Sequence, residues 1–280
     1  MKIGANSFVW TDSFGVENFD ILHRIASAGL DGIEIGLLSP NEFPASKVRA
    51  ELERLGLSCT TCSVLPPDAS LIAADKANRR KGEEHIIKCL EVTAEAGGEI
   101  ICGPLYAPVG TFSGVRRSED EWKRAIECWQ LLAQKAEELN VEVAIEPLNR
   151  FETYFLNTVA DAVRLCDEIN HPSVGILVDT FHANIEEKNI GVALKAAGHH
   201  LKHIHSSEND RGIPGTGTVH WDEFFRSVRD MKYDRWLVIE SFGFSMGRLS
   251  AAASIWRDLA PCPEDIPFQG AEFLRRQLQE

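Results

Sequence analysis

The sequence predicts an α/β fold, a single closed (β/α)8 or TIM barrel over residues 1–280. Short apolar runs rich in β-branched residues alternate eight times with longer amphipathic stretches, which is the pattern of strands and helices in a parallel barrel. No linker rich in Pro, Gly or Ser, no charge block and no low-complexity tract divides the chain. Its 280 residues also suit one barrel, because such domains commonly contain about 250 residues. A doubly wound open sheet is the alternative fold.

The eight apolar runs are the predicted strands. They span residues 3–8, 32–35, 58–64, 100–103, 141–146, 174–179, 201–205 and 236–240. The stretches between them repeat apolar residues at helical spacing and therefore predict helices. These helices span residues 19–28, 47–55, 75–96, 119–139, 158–169, 191–197, 221–231 and 268–279.

The ends of several predicted helices carry residues that stabilise helix termini. Ser118 precedes three acidic residues at the start of the fourth helix. Its hydroxyl can cap free N–H groups, and the acids meet the positive end of the helix dipole. Gly29, Gly56 and Gly97 follow the first three helices, where a residue in the left-handed conformation is favoured. These residues support the predicted boundaries.

The composition is that of an ordinary globular protein with an acidic surface. The chain is 44% hydrophobic and 25% charged, and 29 Lys and Arg against 42 Asp and Glu give a net charge of −13. This excess repels phosphate backbones and anionic lipids, so neither nucleic acid nor a membrane is an expected partner. The sequence shows no secretory signal and no membrane-spanning run. We expect a cytoplasmic protein whose seven cysteines are reduced core thiols.

Residues of metal-ligand type end the last four predicted strands. Glu146, Asp179, His205 and Glu240 close strands five, six, seven and eight. In a (β/α)8 barrel these strand ends meet at the rim that carries the active site. Three carboxylates in one mouth repel one another and lose hydration, so a cation is expected among them. Any one of the acids alone would be a helix cap or an ion-pair partner, but their succession on neighbouring strands predicts a metal site.

The expected ligand set consists of three carboxylate oxygens and one imidazole nitrogen. It is a hard set that leaves coordination positions open for substrate or water. It favours Mn²⁺, Mg²⁺ or Co²⁺ over a closed structural zinc site. The ligands alone do not select one of these ions.

Further polar residues follow the same strands or lie in earlier ones. Glu152, His182 and Arg211 are expected in the loops above the barrel, and each alone would be an ordinary surface residue. Cys59 and Cys62 have the spacing of a metal or redox pair, but strand alternation predicts that only one thiol faces the barrel interior. We therefore interpret the two cysteines as core residues.

Several segments in the second half of the chain resemble the ketose 3-epimerases. These are the D-tagatose and D-psicose 3-epimerases of the xylose isomerase-like barrel superfamily. The first half is similar mainly in the order of its strands, and the most specific string is DTFHANIEE at 179–187. The similar segments are IEPLNRFE (145–152), VDTFHANIEE (178–187), HIHSSENDR (203–211), PGTG (214–217), VIESF (238–242) and WRDL (256–259).

The resemblance implies an enzyme, a metal-dependent epimerase acting at C3 of a free ketose of the D-tagatose, D-psicose, D-fructose or L-ribulose type. Deprotonation and reprotonation would pass through an enediolate. The resemblance also implies that one divalent ion, usually Mn²⁺ in that family, is held by Glu146, Asp179, His205 and Glu240. Two of these residues, Glu146 and Glu240, would double as the catalytic acid and base.

The resemblance assigns substrate contacts as well. It implies that Glu152, His182 and Arg211 hold oxygen atoms of the sugar. Cys62 falls near a cysteine that lines the substrate site in that family, by a looser alignment. The early loops, including residues 102–110, do not follow the pattern of the family, so the exact sugar stays open. A homodimer or a homotetramer is usual in the family and is expected here.

The positions of Glu146 and Glu240 suit inversion of a carbon next to a ketone. Strands in an eight-stranded barrel are spaced by about 45°, so strands five and eight are about 135° apart around the rim. The two carboxyl groups can therefore approach one carbon from nearly opposite sides. A proton next to a ketone is too weakly acidic for a carboxylate alone, so the bound metal must stabilise the enediolate.

Other functions remain open on sequence alone. An aldose–ketose isomerase, or a keto-sugar or inosose lyase, would use the same scaffold with the base aimed at another carbon. An endonuclease IV-like repair enzyme would need more metal ligands and a basic face, against the net charge of −13. A noncatalytic sugar-binding barrel is a remote alternative. A sugar phosphate stays open because of Arg211 and Arg248, although no glycine-rich phosphate loop is present.

Overall fold

The structure is a computed structural model that describes residues 1–243 and 247–279, without the side chain of Arg248. Eight parallel strands form a closed barrel in which neighbours follow chain order and the last strand pairs with the first. The predicted (β/α)8 fold is confirmed. The strands are β1 (Lys2–Asn6), β2 (Gly32–Gly36), β3 (Ser58–Cys62), β4 (Ile100–Gly103), β5 (Glu142–Ile145), β6 (Val174–Asp179), β7 (Leu201–His205) and β8 (Trp236–Ile239).

All eight predicted helices are present around the barrel, and the described residues form two further short α-helices. The unpredicted helices are α6, directly after β6, and α9, between β8 and the last helix. Neither is long enough to show a clear amphipathic repeat. The helices are α1 (Phe19–Ser27), α2 (Ala45–Leu55), α3 (Lys76–Glu95), α4 (Glu119–Glu138), α5 (Val159–Ile169), α6 (Thr180–Glu186), α7 (Ile190–Ala197), α8 (Trp221–Asp230), α9 (Arg248–Ala252) and α10 (Asp265–Gln279).

The predicted helix caps are also observed. Ser118 Oγ accepts a hydrogen bond from the N–H of Glu121, and the Glu121 carboxylate accepts one from the N–H of Ser118. Gly56 ends α2 with a φ of +68°, a conformation that costs other residues energy because of their Cβ atom. Asp179 caps α6 by accepting from the N–H of Phe181 at 2.8 Å. The last contact places the start of α6 next to a predicted metal ligand.

Alternation along the strands separates two packed regions. Outward residues such as Ile145 and Ile239 are fully buried between the barrel and the helices. A smaller apolar cluster fills part of the barrel interior and includes Ala144 and Leu177. Because side chains alternate with a period of two, the residues that follow Ile145 and Ile239 point toward the interior. The barrel therefore aims Glu146 and Glu240 into its mouth.

The cysteines agree with the sequence analysis with one exception. All seven are free thiols, and six of them are buried. Cys262 is exposed in the segment before α10, so the expectation that it lies in the core is wrong. Cys59 packs in the outer core, whereas Cys62 lies in the barrel interior, as alternation predicts. In the described part of the chain, no helix has the length and apolarity needed to cross a membrane.

Candidate active site

The four predicted metal ligands converge at the carboxyl end of the barrel. Asp179 and His205 end β6 and β7, whereas Glu146 and Glu240 lie one residue beyond β5 and β8. The N–H of Glu146 still donates to the carbonyl of Gly103 on β4 at 3.0 Å, so this residue continues the strand alternation. Each of the four residues offers a ligand atom within 4.8 Å of the other three, and all four are buried. The geometry suits a shared ion.

A guanidinium group also lies among these carboxylates. Arg211 Nη1 donates to Asp179 Oδ2 at 2.6 Å and to Glu240 Oε2 at 2.5 Å. Burial disfavours its charged form, but Asp179 and Glu240 outweigh burial and raise the pKa of Arg211, so the side chain stays cationic. Part of the positive charge that the sequence requires at the rim is therefore supplied by the chain itself.

The loop that carries Arg211 is fixed by buried hydrogen bonds. Arg211 has a φ of +68°, which is uncommon outside glycine. The fully buried Glu208 accepts from the N–H of Gly215 at 2.8 Å and from Trp221 Nε1 at 2.9 Å. Ser241 Oγ donates to the carbonyl of Arg211 at 2.6 Å. Backbone strain held in place in this way is typical of functional sites.

The pKa values of Glu146 and Glu240 are shifted in opposite directions. Burial, reinforced by the charge of Glu240, raises the pKa of Glu146 well above its usual value. Burial acts in the same direction on Glu240, but His205 and Arg211 outweigh it and lower the pKa of Glu240 to about 2. The two shifts favour a proton on Glu146 and an ionised Glu240. Such a divergence distinguishes acid from base in many active sites.

Two buried ligand atoms of this group have no hydrogen-bond partner in the described part of the chain. They are His205 Nδ1 and Glu146 Oε1. His205 Nδ1 lies 3.5 Å from Glu240 Oε2, while the other ring nitrogen, Nε2, lies 2.7 Å from Glu34 Oε1. A buried polar atom without a partner costs about 1–3 kcal/mol. A divalent ion with oxygen and nitrogen ligands would satisfy both atoms, so the residues present fit the metal that the sequence predicts.

His182 and Glu152 lie beside the carboxylates. His182 Nε2 is 3.6 Å from Glu146 Oε1 and 3.2 Å from Arg211 Nη2. The N–H of Asn149 donates to His182 Nδ1 at 3.1 Å, so a neutral ring carries its proton on Nε2. Burial and the charge of Arg211 lower the pKa of His182 well below its usual value. Burial raises the pKa of Glu152, whose Oε1 accepts from Asn149 Nδ2 at 2.8 Å.

The polar group opens into a cavity of about 150 Å³. Its lining also includes apolar residues, among them Phe8, Val64, Val109 and Leu249. An apolar cavity with a few polar groups at one end is typical of a small-molecule site. All four residues predicted to contact substrate reach this cavity, and their roles there stay predictions. They are Cys62, Glu152, His182 and Arg211.

The sequence analysis missed Glu34, Asn149 and Glu208. Glu34 lies inside the barrel beneath His205 and is completely buried. A signal for it was present, because a charged residue between the outward-facing Ile33 and Ile35 must point inward. Asn149 and Glu208 act through hydrogen bonds to loop residues that no periodicity reveals.

Comparison with known proteins gives consistent matches over the whole barrel. Residues 22–276 match the family described as xylose isomerase-like TIM barrel. The chain is 34% identical over 280 residues to a probable ketose 3-epimerase of Synechocystis sp., covering 100% of this chain and 97% of that protein. It is 31% identical over 287 residues to a ketose 3-epimerase of Arthrobacter globiformis, covering 99% and 97% of the two chains.

A solved structure is similar over the same extent. The crystal structure of a His-tagged D-allulose 3-epimerase from Methylomonas sp. in complex with D-allulose matches with a TM-score of 0.94 and 28% identity. The match covers 99% of this chain and 97% of that chain. The chain therefore belongs to the xylose isomerase-like TIM barrel family and, within it, to the ketose 3-epimerases. The resemblance seen in its second half is confirmed, and the enzyme is a carbohydrate isomerase.

Proposed function

We propose that this enzyme inverts C3 of a free ketose, of the D-tagatose, D-psicose, D-fructose or L-ribulose type, and depends on a divalent metal. Mn²⁺ is the proposed ion, with Co²⁺ and Mg²⁺ as alternatives. The observation that carries the proposal is the convergence of Glu146, Asp179, His205 and Glu240 within 4.8 Å, three of which also line the cavity. The activities named for the relatives support the sugar class.

The same four residues would hold the ion. His205 would offer Nδ1, since its Nε2 already faces Glu34. Glu146 would offer Oε1, which has no partner among the described residues. When bound, a divalent ion would polarise the ketone and the neighbouring hydroxyl group, which makes the proton on C3 more acidic.

Glu240 and Glu146 would move the proton. Glu240 is the ionised member of the pair and would accept the C3 proton on one face of the sugar. Glu146 is the protonated member and would return a proton to the other face. Because β5 and β8 are three strands apart, the two groups lie about 135° apart around the rim. In the reverse reaction the two residues exchange roles.

Arg211, His182 and Glu152 would hold oxygen atoms of the substrate. The Nη2 group of Arg211 and the Nε2 group of His182 lie 3.2 Å apart on the cavity wall, and both carry N–H donors. They can stabilise an oxygen atom that becomes negatively charged as the proton leaves. Glu152 would bind a sugar hydroxyl, and Cys62 would contact the sugar from the barrel interior.

The cavity supports a free sugar rather than a sugar phosphate. Among its described lining residues, Arg211 is the single arginine or lysine, and its Nη1 group already bonds two carboxylates. The apolar residues of the lining offer a phosphate no compensating charge. Arg248, which the sequence analysis considered as a phosphate ligand, has a side chain outside the described residues.

We also propose a homodimer or homotetramer. Phe112, Phe151 and Trp256 are 50%, 73% and 78% exposed and lie in connections at the carboxyl end of the strands. Exposed apolar side chains gathered on one side of a protein commonly mark a contact surface. Their location supports an assembly that involves the rim of the barrel.

Incubation of the enzyme with D-fructose and Mn²⁺ in D₂O tests the proposed reaction. We expect deuterium at C3 of both the recovered fructose and its C3 epimer, because the proton returned by an acidic side chain exchanges with solvent. NMR spectroscopy of the sugars locates the label. Deuterium at C1 alone would indicate an aldose–ketose isomerase instead, and loss of water from the sugar would indicate a lyase.

Metal affinity should depend on pH. Burial raises the pKa of Glu146, and Glu34 and Glu240 overcome the opposite effect of burial on His205 and raise its pKa well above its usual value. These shifts favour a proton on both groups. The proton on His205 must leave Nδ1 before that atom can bind an ion, whereas Glu146 could bind through Oε1 and keep its proton on the other carboxyl oxygen. We expect affinity for Mn²⁺ to rise by about tenfold per pH unit for each proton released, and activity to fall below roughly pH 6.

Isothermal titration calorimetry at several pH values measures this dependence. Repeating each titration in buffers of different ionisation enthalpy counts the protons released with the metal. An affinity for Mn²⁺ that stays constant from about pH 6 to about pH 8 would contradict the expected competition between protons and metal.

A further inference from the structure

Glu34 is the centre of a hydrogen-bonded group inside the barrel, one layer below the proposed metal ligands. Its side chain is completely buried in the middle of β2. Glu34 Oε1 lies 2.7 Å from His205 Nε2 and accepts from Asn6 Nδ2 at 2.8 Å. Glu34 Oε2 lies 2.7 Å from His203 Nε2 and accepts from Thr60 Oγ1 at 2.9 Å. Cys102 Sγ also donates to Glu34 Oε2 at 3.2 Å. Four other strands, β1, β3, β4 and β7, thus direct side chains at one carboxylate.

These partners determine the proton position on His205. An ionised carboxylate only accepts hydrogen bonds, so the ring nitrogen that faces Glu34, Nε2, must carry the hydrogen. In a neutral ring the other nitrogen, Nδ1, then has a free lone pair. Nδ1 is the buried atom without a described partner that lies 3.5 Å from Glu240 Oε2. Once His205 is neutral, this lone pair faces the side where the proposed ligands meet.

We propose that Glu34 is a positioning residue that holds His205 in the Nε2–H tautomer and so presents Nδ1 to the metal. The inference rests on the proposed function, because it assigns a role toward the proposed ion. Glu34 itself would not touch the metal or the sugar, and it does not line the cavity. Carboxylates that orient a metal-binding histidine in this way typically contribute about 10–100-fold to metal affinity.

Asn6 makes it possible to test the tautomer of His205 separately from the negative charge of Glu34. Its Oδ1 accepts from the N–H of Phe8 at 2.8 Å, so its Nδ2 must be the group that donates to Glu34. In Glu34→Gln, an amide nitrogen placed toward Asn6 would meet another donor. The new side chain should therefore keep its oxygen toward Asn6 and His205. Its nitrogen then faces the Thr60 hydroxyl, which can accept, and His203 Nε2, which accepts in the Nδ1–H tautomer. This variant removes the negative charge and keeps the tautomer.

The double variant Glu34→Gln with Asn6→Asp reverses this arrangement. The carboxylate introduced on β1 would restore the negative charge and offer an acceptor, which draws the new amide nitrogen on β2 toward it and toward His205. A donor facing Nε2 of His205 forces the ring into the Nδ1–H tautomer, whose hydrogen points at the metal site. The pair of variants therefore tests orientation and charge separately. Thr60→Val is the matched control, since it removes a hydrogen bond to Glu34 but leaves the contact with His205.

Electron paramagnetic resonance of free Mn²⁺ measures the affinity of each protein for the ion. We expect a loss of about tenfold for Glu34→Gln, about 100-fold for the double variant, and less than about twofold for Thr60→Val. Saturating Mn²⁺ should overcome the weaker binding and restore the activity of the Glu34→Gln variant. Circular dichroism and thermal unfolding of the metal-free proteins show whether each variant is folded. If the double variant does not fold, ¹⁵N NMR of the wild-type protein loaded with diamagnetic Mg²⁺ measures the tautomer of His205 instead. We expect His205 to be protonated at Nε2.

Several results would overturn the assignment of Glu34. They are an Nδ1–H tautomer in the wild-type protein, wild-type affinity in the double variant, or an equal loss in Thr60→Val. Binding of a second Mn²⁺ per chain would also overturn it, because Glu34, Cys102, His203 and His205 would then be ligands of an inner ion. Failure of the proposed function is a separate outcome, recognised when the wild-type protein binds no metal or exchanges no proton at C3.

Discussion

Glu146→Gln and Glu240→Gln should each lower kcat by about 10³-fold or more while the barrel stays folded. Glutamine has nearly the same shape and can still occupy the inward position after its strand. It cannot accept the C3 proton or return one, so either substitution interrupts the proposed two-base reaction. Turnover is measured at saturating Mn²⁺, which separates loss of proton transfer from weakened metal binding.

The direction of proton exchange gives a sharper result than turnover. Each single variant retains one of the two bases, so it should exchange the C3 proton with D₂O from one epimer only, without inverting the carbon. Glu99→Gln at the opposite end of the barrel is the control and should leave kcat unchanged. Wild-type turnover in both site variants would contradict the catalytic roles and would favour a noncatalytic barrel.

Much of the fold follows from local patterns in the sequence. In each predicted strand or helix, apolar residues repeat at one spacing, and this spacing can be recognised from residues that are close in sequence. The rim ligands were predictable for the same reason, since strand order and strand ends bring Glu146, Asp179, His205 and Glu240 to one edge of a closed barrel. An error of one residue at the ends of β5 and β8 had no effect on this, because Glu146 and Glu240 still point inward.

The remainder of the site depends on contacts between distant residues. Glu34 lies in an apolar run that reads as an ordinary buried strand, and its partners His203 and His205 come from β7 on another side of the barrel. The position of Arg211 depends on a loop fixed by Glu208, with a left-handed backbone that its sequence does not require. Periodicity carries no information about such pairings, so only a three-dimensional structure reveals them.

Removal of the divalent ion with EDTA should abolish activity completely, and Mn²⁺ should restore it. The chain's own cation at the rim, Arg211, already donates to Asp179 and Glu240, so it would not supply the polarisation of the ketone that a bound divalent ion would supply. With its pKa lowered to about 2, Glu240 is a weak base toward carbon. Each pKa unit between base and substrate adds about 1.4 kcal/mol to the proton transfer, so acidification of C3–H is essential.

The metal-free protein should nevertheless stay folded, because Arg211 and the proton on Glu146 reduce the repulsion among the buried carboxylates. Circular dichroism before and after EDTA treatment checks the fold, and epimerisation of D-fructose checks activity. Asp179→Asn provides the matched comparison: it removes one proposed ligand and should raise the Mn²⁺ concentration needed for half-maximal activity by at least about tenfold. Full turnover after exhaustive chelation, with no metal left in the protein by elemental analysis, would show that the reaction needs no ion and would exclude the proposed metal-dependent mechanism.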